Sequence, residues 1–413
     1  MHYFSARSPL TGFRVGLLLT IAIACAGCPS DSAPTTAVLS RDSARSASSG
    51  LAAPGYHSWR GLLPGTTDSV TLHLIQTGLT PGPAEATTAL ASYTVSGVGT
   101  SQYLYRRRAT PDSLVLEEGV DAQSGNSEIP ATLWMLARHG AELMGTRAGR
   151  PLRLRPGRPP GAVALQPYFF ADSVVADRRF KSSARGRVCL LALAPTVGPP
   201  ALTTAVLGMW QGDSMLNATP APLLLVQWAK QRREFRDAYR AAVDAAQRAD
   251  GDSMAVSEAF NHVREQTARI VWNEDGLLSL GQYTYTYWGG LHGYGSTSVG
   301  SFNSRTGQRL TYDDLFVVRA TEQLKVALDR AARRRYNLAP TAPLGGENGE
   351  GPLFVEHIPV TRNVCLTGGG VLFVYPPYAL ASYADGEIEL FVPFRELRGV
   401  LRPGLPGLGV GMR

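Results

Sequence analysis

The sequence lacks the short motifs that mark most enzyme and metal sites. Beyond residue 28 there is no H-E-x-x-H, C-x-x-C, G-x-x-x-x-G-K-[ST] or G-x-S-x-G, and no helix with paired acids. No two of the remaining histidines are three or four residues apart on a helix; they are His57, His73, His139, His262, His292 and His357. An active site can be assembled from distant positions, so these absences disfavour catalysis without excluding it. We expect no metal ion and no cofactor.

Lysine is also scarce. Lys181, Lys230 and Lys325 are the only lysines, so the net charge of +7 comes almost wholly from arginine. The basic residues are spread through both halves of the chain without a basic stripe interleaved with aromatic residues, which disfavours nucleic-acid binding. With 413 residues and 44% hydrophobic content, the chain is long enough for two globular domains.

Cysteine is limited to four residues, and two of them, Cys25 and Cys28, lie near the N-terminus. The other two, Cys189 and Cys365, each lie in an apolar run that is typical of a strand. In an exported protein they could form one disulfide, and two buried thiols fit the same pattern nearly as well. Two cysteines alone do not define a metal site.

The N-terminus has the features of an export signal. Arg7 and Arg14 precede an apolar run over residues 15–26, which is too short for a membrane span. The run ends in Ala26-Gly27-Cys28, which resembles a bacterial lipobox with Cys28 as the lipidated residue. An ordinary secretory signal cut near Ala26 is the alternative. We predict a leader over residues 1–28 and a location in the bacterial cell envelope, lipid-anchored, at the periplasmic or the cell surface.

The chain beyond the leader divides by composition. Residues 29–54 are rich in Ser, Ala, Thr and Pro and predict a flexible tether. Residues 55–155 contain short alternating segments between turn residues, which predicts a small antiparallel β barrel or sandwich. The Pro/Gly-rich residues 156–161 predict a domain boundary. Residues 162–402 mix strand and helix patterns and predict an α+β domain, and residues 403–413 predict a disordered tail.

Within residues 162–402, helices are predicted at 223–249, 253–267 and 321–336. A tyrosine-rich strand at 283–287 is followed by a glycine-rich bend and a return strand at 297–303. His292 lies in that bend. It could present its imidazole at a loop, or it could hold the glycine turn through backbone hydrogen bonds, which explains the same residues more simply.

A second unusual loop is Tyr375-Pro376-Pro377-Tyr378, with Tyr383 a few residues later. Prolines stiffen a loop and tyrosines offer large amphipathic faces, a combination that suits recognition. We predict ligand-binding anchors at Tyr375, Pro377 and Tyr378, with His292 as a weaker candidate. The alternative is a strand end with tyrosines packed inside the domain.

These segments carry a family resemblance. Several motifs follow one another along the chain in the order found in a known family. They are G-G-x-H-G after the tyrosine-rich strand, F-N-S-R-T-G-Q-x-L-T-x-x-D-L-F at 302–316, Y-P-P-Y-A-L-A-S-Y-A-D-G at 375–386 and I-x-L-x-V-P-F-x-E-L at 388–397. The set resembles the domain of unknown function shared by the extracellular region of the anti-sigma factor RsiV and the N-terminal region of the deacetylase PdaC. The resemblance covers about residues 164–401 and implies an α+β fold.

The resemblance also implies a ligand, because RsiV binds lysozyme as a receptor for envelope stress. We expect a binding protein for a lysozyme-like cationic protein or a cell-wall glycan, with a cell-wall hydrolase or deacetylase accessory as the alternative. Residues 344–398 contain more acids than arginines, which predicts a local field that attracts a cationic partner. The acids are Glu347, Glu350, Glu356, Asp385, Glu387, Glu389 and Glu396, against Arg362, Arg395 and Arg398.

Overall fold

The structure is a computed structural model that describes residues 55–77, 91–96, 98–118, 132–176, 184–211, 220–250, 260–346 and 351–406. The predicted leader with the lipidation site Cys28, the whole predicted tether and the end of the predicted tail lie outside these residues. Within the described residues no helix is both long enough and apolar enough to span a membrane.

Eight antiparallel strands close into a barrel, since the first strand also pairs with the eighth. The strands are β1 (Gly55–Leu62), β2 (Ser69–Gln76), β3 (Ala91–Val95), β4 (Thr100–Ala109), β5 (Ser113–Glu118), β6 (Leu133–His139), β7 (Glu142–Arg147) and β8 (Arg150–Pro156). Alternation of apolar and polar residues directs one face of each strand into the barrel, where Trp134 is fully buried and donates a 2.9 Å hydrogen bond to Glu118. The predicted N-terminal antiparallel barrel is confirmed.

A six-stranded sheet follows, in the order β14-β13-β12-β11-β10-β9. Its strands are β9 (Leu165–Val175), β10 (Arg185–Pro195), β11 (Val263–Glu274), β12 (Leu277–Tyr287), β13 (Tyr294–Asn303) and β14 (Arg309–Leu310). Among the described strands of this sheet, β10 and β11 are the one parallel pair, and helices α1 (Pro200–Gln211) and α2 (Pro220–Asp250) lie in the crossover between them. The helices bury Leu224, Trp228 and Phe235 against one face of this sheet.

The last part of the chain adds a three-stranded antiparallel sheet and two helices. They are α3 (Tyr312–Leu315), α4 (Thr321–Arg335), β15 (Val364–Leu366), β16 (Gly370–Tyr375) and β17 (Ile388–Pro393). Leu328 of α4 packs with Phe373 and Leu390 of the small sheet in one buried cluster. The other face of that sheet contacts the six-stranded sheet, where Cys365 and Val374 pack against Val299.

One predicted helix is wrong, and one helix of the structure was not predicted. The predicted helix over residues 253–267 is wrong in its described part, because Val263–Glu274 forms strand β11. This segment pairs with both β10 and β12, so ladder hydrogen bonds on both sides favour the extended backbone. Helix α1 was not predicted. The α+β class with a few helices is confirmed, and the domain boundary at residues 156–161 stays a prediction.

The barrel meets the six-stranded sheet through polar contacts and through Ile75 of β2, which is buried in the core of that sheet. Ser92 of β3 donates a 2.7 Å hydrogen bond to the carbonyl of Ile270, and Ser96 donates a 3.0 Å hydrogen bond to Glu274. Arg269 is buried at this junction, with its guanidinium 4.8 Å from the ring centroid of Tyr103 in β4. These contacts hold β3 and β4 against β11.

Candidate functional site

Strands β12 and β13 place a row of tyrosines on one face of the sheet. Tyr283 and Tyr285 alternate along β12, and their rings lie against Gly295 in β13 and against Gly293 just before it. A Cβ at Gly293 would overlap the hydroxyl of Tyr285, and one at Gly295 would overlap that of Tyr283. Glycine is therefore required at these positions because the tyrosine rings occupy the space that a side chain would take.

The inner end of the row is buried and charged. The guanidinium of Arg269 lies 4.0 Å from the ring centroid of Tyr283 and donates a 3.2 Å hydrogen bond to Thr297. Burial raises the pKa of Tyr283 to about 12, and the positive charge of Arg269 opposes that rise. This end of the row is a packed cation–π contact.

The outer end of the row is the hairpin between β12 and β13, where His292 is exposed. Its Nδ1 lies 3.0 Å from the carbonyl oxygen of Gly293, and its ring stacks on Tyr383 with 3.7 Å between centroids. The Tyr383 hydroxyl donates a 2.6 Å hydrogen bond to the same carbonyl. The imidazole therefore both holds the glycine turn and stays at the surface, so the two interpretations of the sequence are compatible.

Tyr378 completes this cluster from the other loop. Its hydroxyl lies 3.5 Å from Nε2 of His292 and its ring centroid lies 5.7 Å from that of Tyr383. Since a carbonyl only accepts, Nδ1 of His292 is the donor to Gly293, and in the neutral ring Nε2 accepts from Tyr378. The loops around residues 292 and 378 therefore meet at three rings.

The backbone of Tyr378 is strained. Its φ is +68°, a left-handed conformation that costs a non-glycine residue on the order of 1 kcal/mol or more. The side chain is nevertheless 54% exposed, so burial of the ring does not account for the strain. An exposed aromatic side chain in a strained backbone is a feature that points to a role outside the fold.

Other apolar side chains are exposed at the same hairpin. Leu291 is fully exposed, and Trp288 and Tyr294 are each more than two-fifths exposed. Trp288 also contacts the ring of Phe235 in α2, with 5.4 Å between centroids. Tyr294 lies opposite Thr286 in the paired strands, so it shares the helix-facing side of the sheet with Trp288, whereas His292 stacks on the side of the small sheet. We call the set Leu291, His292 and Tyr378 the hairpin-tip surface. Sequence analysis missed Leu291, although an apolar side chain within a glycine-rich loop was a usable signal.

Two predicted anchors do not lie at this surface. Tyr375 is only 3% exposed, and its hydroxyl donates a 2.8 Å hydrogen bond to the carbonyl of Pro359. Pro377 is buried as well. Tyr375 is the last residue of β16 and follows the inward alternation of that strand, so its ring joins the core beside α4. The prediction of Tyr375 and Pro377 as surface anchors is wrong, and the alternative of internal packing describes both.

The acidic field predicted for residues 344–398 is weakened by arginines from other elements. Glu387 accepts a hydrogen bond from the backbone N–H of Thr297, and burial raises the pKa of Glu387 while Arg269 opposes that rise. Glu396 pairs with Arg334 of α4 at 2.9 Å. These two acids are thus engaged by groups from outside residues 344–398, and two more of the counted acids, Glu347 and Glu350, lie outside the described residues.

The two remaining cysteines are not bonded to each other. Cys189 lies in β10 beside the helix-facing core, and Cys365 lies fully buried in β15 between the two sheets. They occupy different packed clusters, so a disulfide is not formed, and burial raises the pKa of the Cys365 thiol above its usual range. Among the described residues, no group of three or more His, Cys, Asp or Glu side chains could hold a metal ion.

The chain is similar to proteins of the DUF3298 family, described as a protein of unknown function. Residues 313–395 match that family's sequence profile. The matched segment contains Tyr378 and Tyr383 but not His292, and it is shorter than the expected resemblance over residues 164–401. No curated protein matches the chain.

Two solved structures of DUF3298 family members have similar chains. One, from Bacteroides fragilis, shares 17% sequence identity over 59% of this chain and 96% of its own, with a TM-score of 0.49. The other, from Pseudomonas aeruginosa, shares 19% identity over 58% of this chain and 95% of its own, with a TM-score of 0.37.

Proposed function

We propose that this chain is an exported binding protein of the bacterial cell envelope, anchored through a lipid on Cys28, that recognises a lysozyme-like protein at the hairpin-tip surface. The observation that carries the proposal is Tyr378, which is exposed and strained at the same time. Strained residues persist only where their surroundings hold them, and they cluster at sites of function. Here the stacked rings of His292 and Tyr383 are the surroundings.

The chemistry of the surface favours a protein partner. The exposed side chains of Leu291 and Tyr378 resemble the aliphatic and aromatic anchors of protein interfaces. A leucine side chain adds little to sugar recognition, whereas it can fill an apolar pocket on a protein. A cell-wall glycan is the second candidate, because the flat face of an exposed tyrosine can pack on a sugar ring.

The surface is also preorganised. Tyr383 and His292 come from different loops and are fixed by hydrogen bonds to one carbonyl, that of Gly293. Little conformational entropy is then lost when a partner binds, which favours affinity. Because Glu387 is half-buried and hydrogen-bonded to Thr297, and Glu396 is paired with Arg334, we expect apolar burial to contribute more to binding than charge attraction.

A panel of binding partners tests the proposal. Purified protein is incubated with a lysozyme-type enzyme, with soluble peptidoglycan fragments and with an unrelated cationic protein of similar size. The proposal predicts that only the lysozyme-type enzyme is retained. If only the glycan were retained, the partner would be a cell-wall glycan and not a lysozyme-like protein. Binding of all cationic proteins alike would contradict specific recognition.

The catalytic alternative has its own readout. If the chain were a cell-wall hydrolase or deacetylase accessory, incubation with peptidoglycan and divalent metal would release muropeptides or acetate. We expect no release above that of the heat-denatured protein. Reproducible turnover would overturn the binding proposal in favour of catalysis.

A further inference from the structure

The outer face of strands β5 to β7 carries a contiguous apolar patch. Val115 lies opposite Met135, and Ala137 lies opposite Met144, in the paired strands. Met135 is 50% exposed and Met144 is 38% exposed, and Leu133 precedes Met135 by two residues on the same face. Opposed residues and residues two apart share one face of a sheet, so these side chains are neighbours. We call Val115, Leu133, Met135, Ala137 and Met144 the barrel patch.

Arginines border the barrel patch on both sides. Arg108 lies opposite Val115 across β4 and β5, and Arg153 lies opposite Met144 across β7 and β8. Both are exposed. Two further arginines and two acids complete the border, namely Arg107, Arg155, Glu117 and Glu142. The four arginines outnumber the two glutamates, so the rim keeps a positive surplus.

The barrel patch lies apart from the contacts that hold the barrel to the rest of the protein. Those contacts involve β3 and the first half of β4, through Ser92 and Tyr103. Strand β1 contacts β9 as well. The wall formed by β5 to β8 continues around the barrel from there, and its exposed methionines are accessible.

We propose that the barrel patch docks on the surface of a membrane that contains anionic lipids. Flexible methionine and leucine side chains can enter the headgroup region, while arginines bind lipid phosphates and keep their stems along the apolar boundary. A second copy of the chain fits less well, because it would bring two arginine rims together. The proposal does not depend on the hairpin-tip surface or on a lipid at Cys28.

Vesicle binding tests this proposal. The chain from residue 29 onward keeps every described element and lacks the apolar leader, which would enter vesicles by itself. It is sedimented with vesicles of phosphatidylglycerol and phosphatidylcholine in equal parts, and with vesicles of phosphatidylcholine alone. We expect binding to the first and little to the second, and weaker binding at raised salt.

Two double variants and one matched control locate the contact. The first double variant combines Arg108→Gln with Arg153→Gln, and the second combines Met135→Ser with Met144→Ser. Each should weaken binding to anionic vesicles on the order of tenfold or more. Val318→Ser with Arg319→Gln removes an exposed apolar residue and an exposed arginine elsewhere, before α4, and should leave binding unchanged. Thermal unfolding checks that each variant stays folded.

Four outcomes would overturn the proposal. Folded wild-type protein that ignores anionic vesicles would remove the membrane as the occupant. Equal loss in the control variant would show a diffuse charge effect with no contribution from the barrel patch. Binding to a soluble acidic polymer without binding to vesicles, or a concentration-dependent dimer that the methionine variant abolishes, would assign the patch to another partner.

Discussion

The imidazole of His292 stacks on the ring of Tyr383, with 3.7 Å between centroids and 18° between planes. The two residues lie in connections of different sheets. His292 lies between β12 and β13 of the six-stranded sheet, and Tyr383 lies between β16 and β17 of the small sheet. Their contact joins the tip of the long hairpin to the small sheet. It also gives Tyr378 a fixed neighbour, so the surface proposed for recognition is rigid before a partner arrives.

The strain at Tyr378 predicts an unusual order of stability for two variants. Tyr378→Gly relieves the left-handed backbone, whereas Tyr378→Ala keeps it, and both lose the ring. We expect the alanine variant to be less stable than the glycine variant by roughly 1 kcal/mol. Urea unfolding measures the difference. An alanine variant that equals or exceeds the glycine variant would show that the backbone is not strained.

The glycines under the tyrosine row predict a second pair of results. Gly293→Ala places a methyl group against Tyr285 and against the carbonyl of Thr286, so we expect a loss of about 1–3 kcal/mol. Gly208→Ala is the matched control, because nothing lies within contact distance of its new methyl group in α1. Alanine there should be neutral or stabilising by up to about 1 kcal/mol. Thermal unfolding of both variants checks the prediction, and equal losses would contradict it.

Buried His73 predicts acid sensitivity of the barrel. Burial lowers the pKa of His73 from 6.5 to about 3, and its Nδ1 lies 2.8 Å from the hydroxyl of Tyr56. Below pH 6.5 the unfolded chain binds a proton that the folded chain does not, so stability falls as the pH falls towards 3. Between pH 7 and 4.5 this group should cost roughly 2–3 kcal/mol.

The quantity compared between the proteins is the change in the free energy of unfolding between pH 7 and pH 4.5. Urea unfolding of wild type, His73→Asn and the exposed-residue control His139→Asn is measured at both pH values. The His73 variant should lose part of the acid-induced decrease, while the control keeps all of it. The same decrease in all three proteins would assign the acid sensitivity to other groups.

Lipidation at Cys28 is tested in cells. The full chain, expressed in a bacterial host with labelled palmitate, should carry the label, and Cys28→Ala should not. An unlabelled protein released after cleavage near Ala26 would support the ordinary secretory signal in place of the lipid anchor. A Cys28→Ala variant that keeps the label would contradict the assigned position.

Local pattern was enough to predict many of the strands. Alternation in residues 70–75 predicted β2, and the tyrosine period in residues 283–287 predicted the outer part of β12. The segment that begins at Val263 was misassigned because Val256, Phe260 and Val263 also fit a helical period. Pairing with two neighbouring strands decides its conformation, and that pairing is not visible in a local window.

The candidate site was predicted in its parts but not in its arrangement. His292 and Tyr378 were each named from sequence, yet their contact joins residues 86 positions apart and depends on how two sheets pack. Tyr375 was placed on the surface because proline and tyrosine suggested a loop, whereas the strand continues to that residue and turns its ring inward. A charge count along residues 344–398 also leaves out partners from other elements, since Arg269 acts on Glu387 and Arg334 pairs with Glu396.

The most direct test of recognition at the hairpin-tip surface is a calorimetric titration with a lysozyme-type protein. Wild type is compared with Leu291→Ser and Tyr378→Gly, and with Val318→Ala, which shortens an exposed side chain outside the surface. The account predicts that the first two variants fold normally and lose affinity by on the order of tenfold or more, while the control binds like wild type. Folded variants at positions 291 and 378 that bind as tightly as wild type would contradict it.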